Sequence, residues 1–168
     1  MIQIVKADIT SLDTDAIVNA ANDGLWAGGG VCGAIFRAAG YERLRKACEE
    51  IGGCPTGSAV ITPGFDLKAR FIIHAVGPVW QGGKNNEPEK LYSCYIKSLE
   101  LAMANGLHSI AFPLISAGIY GYPRDRAWET AIRAARDFLK SNTDYSLSIT
   151  FAVLDDGVMA AGLKVLSA

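Results

Sequence analysis

Short apolar runs recur along the chain with polar and small residues between them. FIIHAV, SIAFPL and ITFAVL are apolar almost throughout instead of alternating, the pattern of strands covered on both faces. The runs predict strands near Ile2–Val5, Ala16–Asn19, Ala59–Thr62, Arg70–Val76, Ser109–Pro113 and Ser146–Leu154. Between them the spacing turns helical. From about Glu87 to Asn105, Leu91, Tyr95, Leu99, Ala102 and Met103 recur at three- and four-residue steps. Asn86 is expected to cap this helix, with Pro88 early in it and Glu89 as the acid of its first turn; Gly106 ends it. A second helix, about Arg124 to Ser141, places Trp128, Ala131, Ile132, Ala135, Phe138 and Leu139 on one stripe and turns its arginines and Asp137 to water. Strands alternating with helices define an α/β class, with a sheet sandwiched between helices.

The 168 residues, half of them apolar, fit one compact domain spanning 1–168. Basic and acidic side chains nearly balance, at a net charge of −1. No overall field then draws the chain to nucleic acid or an anionic membrane. No apolar run is long enough to span a bilayer, and the N-terminal MIQIVKADIT does not read as a signal peptide. Cys32, Cys48, Cys54 and Cys94 contain no C-x-x-C pair, and only His74 and His108 accompany them, so neither a zinc site nor a disulfide is expected. Cys48, in a helical pattern, and Cys94, beside Tyr95, read as small buried apolar residues. A reducing, cytoplasmic setting is the default expectation.

Two glycine-rich corners stand out, Asn22–Gly30 and Ser116–Pro123. Each follows a buried strand and precedes a helix, placing both at strand carboxyl ends, where open α/β sheets bind ligands. Gly28 to Gly33, GGGVCG, match G-x-G-x-x-G formally. They follow the second strand instead of the first, and Glu49 and Glu50, near the expected acidic spacing, lie in a helical stretch, so a dinucleotide fold is disfavoured. The physics of the loop remains: residues without side chains let a diphosphate reach backbone N–H groups, and the helix starting near Val31 directs its positive end at the anion. Neither corner carries the Lys-Ser/Thr of a phosphoryl-transfer loop, there is no G-x-S-x-G elbow, and His74 inside FIIHAV reads as a satisfied core histidine. No cofactor or metal is called for.

VKADIT, DAIVNAAN, the glycine run into GAIFRAAG, CPTGSAVIT, FIIHAVGP and ISAGIYGYP resemble, in order and spacing, the macrodomain family, in particular its bacterial and mitochondrial hydrolase-type branch. The resemblance implies a three-layer α/β/α sandwich with a mixed, largely parallel sheet. It also implies a cleft for ADP-ribose, free or on a protein or metabolite, and hydrolysis of ADP-ribosyl esters or deacetylation of O-acetyl-ADP-ribose. By the same resemblance Asp8, with Ile9 beside it, receives the adenine amino group; as a bare residue Asp8 reads equally as a cap before Thr10. Asn22, after Ala21, holds the distal ribose or a water, or else is a turn residue before Asp23. Gly29, Gly30, Val31, Cys32 and Gly33 match the first phosphate loop, and Ser116, Ala117, Gly118, Ile119, Tyr120 and Gly121 the second. Leu154 matches the position facing adenine.

One departure is informative. The branch usually reads GVDGAIH where this chain reads GVCGAIF, so Cys32 and Phe36 replace an acid and a histidine. A general base is worth about 10²–10⁴-fold in rate. Three readings follow: a hydrolase in which Asn22 and a ligand phosphate position water and Cys32, at a helix N-terminus, assists as thiolate; a binding module without turnover; or Cys32 as a small packed residue under a loop that holds another nucleotide.

Overall fold

The computed structural model describes residues 1–168. Six strands and five helices alternate: β1 (Ile2–Lys6), β2 (Ala16–Ala21), α1 (Gly30–Ala39), α2 (Tyr41–Ile51), β3 (Ala59–Pro63), β4 (Phe71–Val76), α3 (Glu87–Ala104), β5 (Ser109–Phe112), α4 (Arg124–Ser141), β6 (Ser148–Val153) and α5 (Asp156–Ser167). One sheet has the order β1-β6-β5-β2-β4-β3. Every pair is parallel except the edge pair β3–β4. This is the mixed, largely parallel sheet between two helical layers that the sequence led us to expect.

The unbroken apolar runs are explained by the two cores. Ile73, Ala75, Phe112 and Phe151 point to one face, against Leu91, Tyr95 and Leu99 of α3 and Trp128 and Ile132 of α4. Their neighbours Ile72, Val76, Ala111 and Ala152 point to the other, against Ile35 and Phe36 of α1 and Leu44 and Cys48 of α2. Successive strand residues face opposite sides, so both must be apolar when both sides are covered.

Two expectations need correction, and one helix was not read from the sequence. Asn86 does not cap α3: it lies in the left-handed region at φ 60 and its side chain makes no capping bond. The buried carboxylate of Glu87 instead gathers the preceding loop, accepting from the N–H groups of Gln81 (2.7 Å), Gly83 (2.9 Å) and Asn85 (2.6 Å). Asp137 is half-buried and accepts from the Tyr92 hydroxyl at 2.7 Å. Helix α5 was not expected, because Gly157 and Gly162 lower its helix propensity. The fold uses that weakness: a Cβ on Gly162 would lie 2.6 Å from the Trp128 indole, whose Nε1 donates to the Val158 carbonyl at 2.9 Å. Asp155 caps the helix by accepting from the Val158 N–H. No helix is long and apolar enough to cross a membrane.

Candidate functional site

The site begins as a gap in the sheet. β2 and β4 pair over six residues, but the ladder between β2 and β5 covers only Ala16↔Ile110 and Ile17↔Ala111. Pro113, which has no N–H to donate, follows β5 directly. A cavity of about 310 Å³ opens beyond the point where pairing stops, at the carboxyl ends of the two strands. Its walls are Ala20, Ala21 and Asn22 from β2 and its exit, Gly28 to Cys32 from the first corner, Gly77 after β4, and Pro113 to Ser116 with Gly118, Ile119 and Tyr120 from the second corner. None of these side chains is charged.

What the walls offer instead is backbone. The N–H groups of Gly28 through Cys32 and of Ser116 through Tyr120 donate to no other atom of the chain. In the first corner this follows from a helix start, since the first turn of α1 has no preceding carbonyls to bond. Gly30, at φ 57, makes the bend that lines these amides up. In the second corner a side-chain-bearing residue takes the strained position: Ser116 is at φ 68, 6% exposed, with its hydroxyl unpartnered. Gly77 is what makes room, because a Cβ there would lie 2.3 Å from Ser116 Oγ and 2.5 Å from Ile115 Cγ2. The turn closes through Tyr122 N–H to the Ser116 carbonyl (2.9 Å) and Gly121 N–H to that of Gly118 (3.0 Å). Successive free amides with a helix N-terminus make a nest for anionic oxygens.

Asn22 is tied to its own loop, donating to the Trp26 carbonyl at 2.8 Å and accepting from the Trp26 N–H at 3.1 Å. An amide offers two N–H groups and two lone pairs, so half its capacity remains for a ligand. The Cys32 thiol also faces the Trp26 carbonyl, at 3.8 Å, and receives the Asn19 Nδ2 at 3.6 Å. Asn19 Nδ2 reaches His74 Nδ1 at 3.1 Å, and His74 Nε2 lies 2.9 Å from the Thr62 hydroxyl. His74 is thus a satisfied core histidine, as the sequence suggested; burial pushes its pKa down to about 4, so it is neutral. A buried polar chain therefore runs from β3 to the cleft behind Cys32.

Of the residues expected to bind, Ala21, Asn22, Gly29, Gly30, Val31, Cys32, Ser116, Gly118, Ile119 and Tyr120 line the cavity. Asp8, Ile9, Gly33, Ala117, Gly121 and Leu154 lie outside that lining. Asp8 caps the turn Ile9–Ser11, accepting from Thr10 N–H at 3.0 Å and Thr10 Oγ1 at 2.8 Å; Ile9 is buried and Leu154 is 68% exposed. Gly33 supports the first corner from beneath, where a Cβ would lie 2.5 Å from the Gly28 carbonyl. Gly77, Leu114 and Ile115 were not anticipated in the wall; the Gly-Pro following FIIHAV was the available signal for Gly77. No group of three or more His, Cys, Asp or Glu side chains could hold a metal ion.

An α/β sheet parted at its centre, with main-chain nests on both lips, defines a class of anion-binding domain. The Macro domain family model matches residues 18–131, and the chain belongs to that family. It is 54% identical over 142 residues to an O-acetyl-ADP-ribose deacetylase of Escherichia fergusonii, covering 82% of this chain and 80% of the relative. Among solved structures, the Oceanobacillus iheyensis macrodomain with ADP superposes at TM-score 0.92 with 42% identity, over 98% of this chain and 88% of that one. The Trypanosoma brucei macrodomain in complex with ADP-ribose gives 0.91 and 39%, over 98% and 68%.

Proposed function

We propose that the cleft binds ADP-ribose, free or attached to a protein or metabolite, with the diphosphate held by the amides of both corners. One observation carries this reading: two sets of unbonded N–H groups face a cavity without an acidic side chain. Anionic oxygens would gain many charge-assisted hydrogen bonds and meet no repulsion. The Trypanosoma brucei relative, bound to ADP-ribose, supports the choice of ligand. Calorimetric titration with ADP-ribose should release heat, and saturating ligand should raise the melting temperature. No heat together with an unmoved melting temperature overturns the proposal.

A second reading adds turnover: hydrolysis of ADP-ribosyl esters or deacetylation of O-acetyl-ADP-ribose, with Asn22 and a ligand phosphate orienting water. Favouring it are the half-free amide of Asn22 at the cavity wall and the deacetylase name of one relative. Against a fast reaction stands Cys32, where the hydrolase-type motif carries an acid; without a general base the rate should fall by about 10²–10⁴-fold. A protein ADP-ribosylated on glutamate should slowly lose its label, more slowly with Asn22→Ala and faster with Cys32→Asp. Binding with an unchanged label, and no acetate from O-acetyl-ADP-ribose, would make the domain a reader.

A further inference from the structure

All four cysteines are buried and free, but only Cys32 lines the cleft. Two buried side-chain polar atoms lack a hydrogen-bond partner, one on the cavity wall and one on a residue that touches Cys32. One is Ser116 Oγ, from the opposite wall. The other is Asn19 Oδ1, on the 99%-enclosed amide whose nitrogen contacts the Cys32 sulfur, Asn19 being 1% exposed. The sulfur itself makes only long contacts, accepting from Asn19 Nδ2 at 3.6 Å and facing the Trp26 carbonyl at 3.8 Å, so no strong partner ties up its lone pairs.

We propose that Cys32 is a modification site: a hydroperoxide entering the cleft oxidises its thiol to sulfenic acid, and the oxidised cleft no longer holds ADP-ribose. In the step, sulfur gives an electron pair to one peroxide oxygen, the S–O bond forms as the O–O bond breaks, and the other oxygen leaves with the thiol proton as water or alcohol. Sulfur is oxidised and the peroxide reduced. The new oxygen is an acceptor beside the first-corner amides, Cys32 N–H among them, none of which is bonded within the chain. The nest that suits a phosphate oxygen suits this one, and it would occupy the same donors.

Selectivity among the thiols follows from access, since Cys32 lines the cleft and the other three do not. Desolvation, then the proximity of Cys32, pushes Cys48 up to about 11; burial also raises Cys54 and raises Cys94 strongly. Those three stay protonated and poorly nucleophilic. The oxidation stands without the ADP-ribose reading, whereas the loss of binding rests on it.

The test treats the reduced full chain with hydrogen peroxide, captures sulfenic acid with a cyclic 1,3-diketone, and maps the label by peptide mass spectrometry. Label should appear on Cys32 and not on Cys48, Cys54 or Cys94, and ADP-ribose present during oxidation should suppress it. Oxidised protein should bind ADP-ribose about tenfold or more weakly by calorimetry, with recovery after a thiol reductant. Cys32→Ser should take no label, and its affinity should no longer respond to peroxide. Label first on another cysteine, or on none, overturns the site; unchanged affinity with Cys32 fully oxidised overturns the occlusion. If reduced protein binds no ADP-ribose, the ligand reading fails, while label on Cys32 still upholds the oxidation and its absence removes it.

Discussion

The two corners reach the same end by opposite means. The first exposes its amides by dispensing with side chains: Gly28, Gly29 and Gly30 are exposed, and a Cβ on Gly29 or Gly30 would meet nothing within 4 Å. The second exposes them by holding a serine in left-handed geometry and burying it against Gly77. In the first, conformational freedom is built into the residues and restraint comes from behind, through Gly33 and the Cys32–Asn19–His74–Thr62 chain. In the second, strain is built in and packing contains it. The first corner should therefore fail when its supports fail, and the second should relax when its strain is removed.

Acid should have the largest effect on the first corner. His74 titrates near 6.5 in the unfolded chain and is pushed down to about 4 in the fold. Its contribution to stability is full above the unfolded value, declines as pH falls between the two, and changes no further below about 4. The loss amounts to about 3 kcal/mol. Denaturant melts across that range should show the slope, and His74→Gln should flatten it; a slope that survives the substitution lies elsewhere. Gly33→Ala should come next, at about 1–3 kcal/mol with weakened ADP-ribose binding, because the Gly28 carbonyl must shift. An unchanged midpoint would mean that the corner moves freely and the support is illusory.

Ser116→Gly tests the other half of the contrast. Leaving the left-handed penalty behind gains more than the added chain freedom of glycine costs, for a net stabilisation of about 0.5–1 kcal/mol. ADP-ribose affinity should nevertheless drop as the turn loosens, and a destabilised variant would remove strain from the account. The smallest effect on the fold belongs to Gly29→Ala, less than about 1 kcal/mol, since the position is open and its φ of −87 suits any residue. Its cost should appear in ADP-ribose titration, as a side chain standing between ligand and amides.

How much of this the sequence disclosed depends on the range of the interactions. Both-face burial makes FIIHAV and ITFAVL recognisable locally, so β4 and β6 fall close to where their runs place them. The glycine corners were legible because three adjacent glycines need a reason. The end of the β2–β5 ladder was not, since cross-strand pairing leaves no trace in either strand alone. Nor was the support behind Cys32, whose members Asn19 and His74 lie 13 and 55 positions from their partners Cys32 and Asn19. Asp8 shows the remaining ambiguity: its capping bonds are present, and the same carboxylate can face a base only by sharing or leaving them.

The parted strands also act as a gauge. β2 and β5 are lattice neighbours, and adjacent strands stand about 4.8 Å apart where they pair. The strand ends from which the two lips start are therefore spaced by sheet geometry, and loop residues set only how the amides are carried beyond them. Two linked anionic groups on one molecule match two lips anchored on neighbouring strands, whereas a single anion has only one of them to fill.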